Sequence, residues 1–162
     1  MMKHLLILLF IPILSYSQIS YEDVMSIKSV DIFKKVMIEN GYEFDTLDTD
    51  GYLSYGFNLT KDSTGNSQSS RWMIYNINDD SFIMMFPRKN WITNFYDPKL
   101  ESSKNNYDSI VKDIQEKCKY YKITNFKGTD YVTYSCSESS YKGKIGFVVS
   151  DGNGYIQHFP ND

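Results

Sequence analysis

The stretch Arg71–Pro87 runs in step with Lys144–Pro160 without a gap, and this constrains the fold more than any other feature of the chain. Trp72-Met73-Ile74-Tyr75 stands over Ile145-Gly146-Phe147-Val148, and Phe82-Ile83-Met84-Met85-Phe86-Pro87 over Tyr155-Ile156-Gln157-His158-Phe159-Pro160. Each copy reads as strand, polar turn, strand, and each stops at Phe-Pro. Similarity at this scale means a chain assembled from repeated supersecondary units. Upstream, Tyr52-Leu53-Ser54-Tyr55 matches Tyr131-Val132-Thr133-Tyr134, with a longer polar loop from Lys61 to Ser70 in the first copy. Further upstream still, Asp31, Phe33, Lys35, Met37 and Glu39 fall over Asp108, Ile110, Lys112, Ile114 and Glu116.

Periodicity supplies the elements. Phe33, Val36, Met37 and Asn40 recur at helical steps, as do Tyr107, Ile110, Val111, Ile114 and Cys118. Ser29 is placed to cap the first helix and Gly41 to end it in the left-handed region. A short extra helix is expected around 21–27. Fourteen tyrosines and ten phenylalanines, set in alternating runs among Ser, Thr and Asn, favour strands. These are expected at about 52–59, 71–78, 81–87, 122–126, 130–137, 143–150 and 154–159. Asn78-Asp79-Asp80 and Asp151-Gly152-Asn153-Gly154 supply hairpin turns.

The expected class is α+β: a tandem duplication of a helix-plus-three-strand unit, with an antiparallel sheet and helices on one face. The repeats span about 20–87 and 105–160, joined by an ordered connector at 88–104 that carries Trp91, Ile92, Phe95 and Tyr96. Such an arrangement resembles the secreted β-lactamase-inhibitor-protein type of fold; the resemblance is one of architecture and carries no residue roles.

The N-terminus reads as a cleaved export signal. Lys3 precedes the apolar run Leu5–Leu14, too short for a bilayer, and Ser15-Tyr16-Ser17 offers small residues before a cut near Ser17/Gln18. No cysteine follows the run to accept a lipid. The expectation is a secreted or periplasmic protein with one globular domain at 18–162. Lys3 is the only charge in 1–17, so the rest is more acidic than the formal −3 of the whole, which speaks against nucleic-acid and anionic-membrane partners.

Cys118 continues the apolar face of the second helix and Cys136 shares a strand face with Val132 and Tyr134, so the thiols are expected to converge. Export permits their oxidation, and closing a loop of about 18 residues stabilises by roughly 3 kcal/mol. Asp45-Thr46-Leu47-Asp48-Thr49-Asp50-Gly51 has the alternate carboxylates of a calcium loop. Its ligand register nevertheless puts Thr46 and Phe57 where carboxylates belong, so it reads as a solvated turn. His158 is the one histidine beyond the signal and reads as a surface or edge residue. Gly143, Gly146, Gly152 and Gly154 lie in or between strands, which a phosphate loop forbids. No catalytic residue, cofactor or metal ligand is assigned.

One excess remains. In Trp72-Met73-Ile74-Tyr75 and Phe82-Ile83-Met84-Met85-Phe86 both strand faces are apolar, although a helix covers only one. Either the connector covers the far face or a partner does. Met73, Tyr75 and Met84 are the residues expected on that contact surface. The functional expectation is an exported, non-enzymatic binding module contacting another envelope or extracellular protein. A carrier of a small apolar or carbohydrate ligand stands second, and an envelope-polymer hydrolase third.

Overall fold

The computed structural model describes residues 18–87, 98–139 and 143–160, and for 98–105 the course of the backbone alone. The expected signal at 1–17 and the connector stretch 88–97, with Trp91 and Phe95, lie outside the described residues. Three helices and ten strands follow along the described chain: α1 (Tyr21–Ser26), α2 (Val30–Glu39), β1 (Tyr42–Leu47), β2 (Tyr52–Phe57), β3 (Thr60–Lys61), β4 (Ser67–Gln68), β5 (Arg71–Asn76), β6 (Phe82–Pro87), α3 (Pro98–Lys117), β7 (Lys119–Phe126), β8 (Thr129–Ser135), β9 (Gly143–Ser150) and β10 (Asn153–Pro160). The class is α+β, dominated by one large antiparallel sheet of order β1-β2-β5-β6-β10-β9-β8-β7; β3 and β4 form a small separate hairpin.

The helices start and stop where local chemistry directs. Ser20 and Asp23 form a reciprocal capping box on α1. The Ser29 hydroxyl accepts from the Ile32 amide at the head of α2. Gly41, at φ 77°, ends α2 through its amide's bond to the Ile38 carbonyl. In α3 the helix begins at Pro98, inside the expected connector; proline is tolerated at a first helical position because its missing amide hydrogen would have no partner there.

The first half of the main sheet holds four strands where three were expected, and the second half holds its expected four. The missed strand β1 hides its alternation behind a bulge: Phe44 pairs with Tyr55 and Thr46 with Ser54, leaving Asp45 extra. Its apolar residues therefore fall at Tyr42, Phe44 and Leu47 instead of every second position. Strand β7 has the same device, with Tyr121 extra between the Tyr120–Tyr134 and Lys122–Thr133 pairs, and starts earlier than expected.

The gapless match of the sequence holds pair for pair in the ladders. Trp72–Met85, Met73–Met84, Ile74–Ile83 and Tyr75–Phe82 correspond to Ile145–His158, Gly146–Gln157, Phe147–Ile156 and Val148–Tyr155. One strand upstream the correspondence slips. Tyr55 pairs with Met73, whereas Thr133, and not the matching Tyr134, pairs with Gly146. A one-residue slip exchanges faces, so Tyr55 and its match Tyr134 share the Met73 face, whereas Met73 and its match Gly146 lie on opposite faces.

The core lies against the face that carries Met73, Met84 and Ile156, all fully buried. Phe33 of α2 meets the rings of Tyr75, Tyr55 and Phe82 at 5.1, 6.0 and 6.4 Å. Tyr107 of α3 lies 6.0 Å from Phe86 and donates to the Val148 carbonyl at 3.0 Å. Burying a side chain such as Phe33 contributes about 1.5–3 kcal/mol. Ile19 is buried too, its carbonyl accepting from the Asn106 amide, so the chain is tied into the core from its first described residues.

Candidate functional site

The residues expected on the contact surface are in the core. Met73, Tyr75 and Met84 are each 0% exposed. Because both faces of β5 and β6 are apolar, alternation does not say which face turns inward. The half-buried apolar stripe on the opposite face is Trp72, Ile74, Ile83 and Met85.

That stripe continues along one row of cross-strand partners. Ile74 pairs with Ile83, Ile83 with Gln157, Gln157 with Gly146, Gly146 with Thr133, and Thr133 with Lys122. The row thus runs from an apolar surface into a polar one and ends at the edge strand β7. Gly146 is required there, because a Cβ would sit 2.7 Å from the Phe159 ring and 2.9 Å from the Thr133 methyl. The ring of Phe159 leans over the glycine, held edge-on by Tyr131 and Phe126 at 5.4 and 5.8 Å.

Beside this ring opens a groove of about 440 Å³, walled by Tyr121, Phe126, Phe159, Lys122, Lys144 and Gln157, with Asp79 and Ser81 of the β5–β6 turn at its rim. The Lys122 and Lys144 ammonium groups lie 5.2 and 4.9 Å from the centre of the Tyr121 ring. Neither has a carboxylate within 4 Å among the described residues; Lys144 makes a long bond to the Ser135 hydroxyl at 3.5 Å. Gln157 is only 4% exposed, and its Oε1 receives no hydrogen bond. A buried carbonyl oxygen left without a donor costs about 1–3 kcal/mol. Sequence reading missed this groove: its walls come from β7, β9, β10 and a distant turn, and no local motif joins them.

The remaining candidates are placed as follows. Cys118 and Cys136 are bonded, with sulfurs 2.14 Å apart and Cα atoms at 4.5 Å. The bridge is not a helix-to-strand link as expected. Cys118 lies between α3 and β7, and the bridge extends the β7–β8 ladder one step beyond the Lys119–Ser135 pair. His158 is 1% exposed, not a surface residue, and stacks on Phe82 at 5.3 Å. Burial pushes its pKa down to about 4 against the upward pull of Asp79 and Asp80, so it is neutral at pH 7 and faces away from the groove. Asp48 closes the β1–β2 turn, its Oδ1 accepting from the Asp50 and Tyr52 amides, as a solvated turn requires. No group of three or more His, Cys, Asp or Glu among the described residues is arranged to hold a metal. Gly154, expected in a turn, belongs to β10, while Asp151 and Gly152, both at positive φ, make the β9–β10 turn.

Burial raises the Tyr42 phenol to about 12, Arg71 opposing the shift. Arg71 is itself buried, its guanidinium 4.7 Å from the Phe57 ring centre, and serves the core at the far end of β5. A second, shallower depression of about 320 Å³ lies on the Met73 face between Tyr107 and Val111 of α3 and Val132, Phe147 and Val149. No described helix among the residues is long and apolar enough to cross a membrane, and the bonded cysteines fit an oxidising compartment. No protein-family model matches the chain, and no curated protein or solved structure matches it either.

Proposed function

We propose that the chain is an exported, non-enzymatic binding module that works through the Trp72 face of its sheet, contacting another envelope or extracellular protein. The observation that carries this reading is the continuous row from Ile74 and Ile83 to Gln157 and Lys122, apolar at one end and cationic at the other. Contact surfaces commonly combine an apolar centre with a polar rim. His158 is packed on Phe82 and the two cysteines are bonded to each other, so these three side chains serve the fold.

This reading takes the two halves as a duplicated helix-plus-strands unit with the helices laid on the Met73 face, which leaves the Trp72 face as the one available for contact. Support comes from bulges placed alike in β1 and β7, opposite Tyr55/Ser54 in one half and the matching Tyr134/Thr133 in the other. Residues 1–17 act as the export signal, in agreement with a disulfide in the domain that follows.

The test is affinity capture from envelope extract with the wild-type protein and with Ile74→Asp and Ile83→Asp, folding being checked by circular dichroism. Loss of the captured protein in folded variants supports the reading. A captured set that is unchanged by both substitutions overturns it.

A further inference from the structure

We propose that the groove between β7 and β10 is a separate binding site for an acidic sugar, a hydroxyl-rich ring bearing a carboxylate. The inference goes beyond the protein-contact reading and stands without it. Two features specify the chemistry. Lys122 and Lys144 bring two ammonium groups around Tyr121 with no carboxylate within 4 Å among the described residues, so positive charge is available to an anion. Tyr121, Phe126 and Phe159 supply flat apolar walls of the kind that the C–H face of a sugar ring covers.

Asp79 extends the argument. Its Oδ1 accepts from the Ser81 amide at 2.8 Å, and both residues line the groove, where a carboxylate attracts hydroxyl donors. A simple carboxylate would find Asp79 repulsive and would leave the aromatic walls uncovered. A neutral sugar would leave both lysines unused. A ring with a carboxylate at one end and hydroxyls at the other satisfies both walls at once. The volume of about 440 Å³ is in the range of small-molecule sites, roughly 300–1,000 Å³, and accommodates one or two such rings.

The experiment is a titration of the purified protein, followed by amide chemical shifts at low salt, with galacturonic acid, galactose and acetate as separate probes. Galacturonate is expected to shift the amides of Lys122, Lys144, Gln157 and Phe159 and to bind at least about tenfold more tightly than either control. Lys144→Gln, at a half-exposed position, is expected to weaken galacturonate about tenfold. Lys122→Gln, at an exposed position, is expected to do the same with no loss of melting temperature. Equal affinity for galactose and galacturonate overturns the proposal, as does absence of binding or an affinity unchanged by Lys144→Gln. Ile74→Asp separates the two readings: it is expected to abolish protein capture and leave galacturonate binding intact.

Discussion

Gly154 lies directly under the ring of Tyr107: a Cβ built on it would come within 2.6 Å of Cδ2 and 2.7 Å of Cγ. The contact fixes how closely α3 approaches β10, and the ring is anchored at its other end by the bond to the Val148 carbonyl. Neither partner is the loose end of a flexible side chain. Gly154→Ala is therefore expected to cost about 1–3 kcal/mol through overpacking. Tyr107→Leu in the same chain should recover part of the loss, and a double-mutant cycle by urea denaturation checks it.

The Cys118–Cys136 bridge closes a loop with a sequence separation of 18. On the chain-entropy model its removal costs about 3 kcal/mol. The double substitution Cys118→Ala with Cys136→Ala is expected to lower the melting temperature by roughly that equivalent. Reductant should lower the wild type similarly and leave the variant unmoved. Non-reducing mass spectrometry of the wild type is expected to show no alkylatable thiol.

His158 gives the fold an acid limit. Its folded pKa of about 4 lies below the ordinary 6.5, so between these values the unfolded chain binds the proton and the folded one does not. Stability is then full above pH 6.5 and falls as the pH drops towards 4, by a total on the order of 3 kcal/mol. His158→Met is expected to flatten that slope. Denaturation midpoints measured from pH 7 to pH 4 read it directly.

Met84 and Met85 are neighbours with opposite duties. Met84 is fully buried among core residues, whereas Met85 is half-buried on the Trp72 face. Met84→Ala is expected to cost about 2–5 kcal/mol, and Met85→Ala less than about 1 kcal/mol. Comparable losses at both positions would contradict the facing assigned here.

Much of this fold was legible from the residues. The helical faces of Phe33, Val36 and Met37 and of Tyr107, Ile110 and Ile114 are buried as their spacing requires, and the paired hairpins at 71–87 and 144–160 have matching registers. Strand β1 was not legible, because the bulge at Asp45 breaks its period and half-exposed Phe44 and Leu47 dilute its signal. The inward face of β5 and β6 was misassigned because a strand apolar on both sides gives alternation nothing to distinguish. The groove was invisible because its walls come from positions far apart in the chain, joined by a register that slips by one residue between β8 and β9. Gly146 is its one local trace, an absent side chain in a row of large ones.

The β6–β10 pairing has a consequence for synthesis. Phe82–Pro87 is an interior strand of the finished sheet, yet the strand that covers its free edge, β10, is made only after α3, β7, β8 and β9. A nascent polypeptide therefore carries an uncovered ribbon edge with Met84 and Met85 until Asn153–Pro160 has emerged, and its need for holdase protection should be greatest before β10 is made.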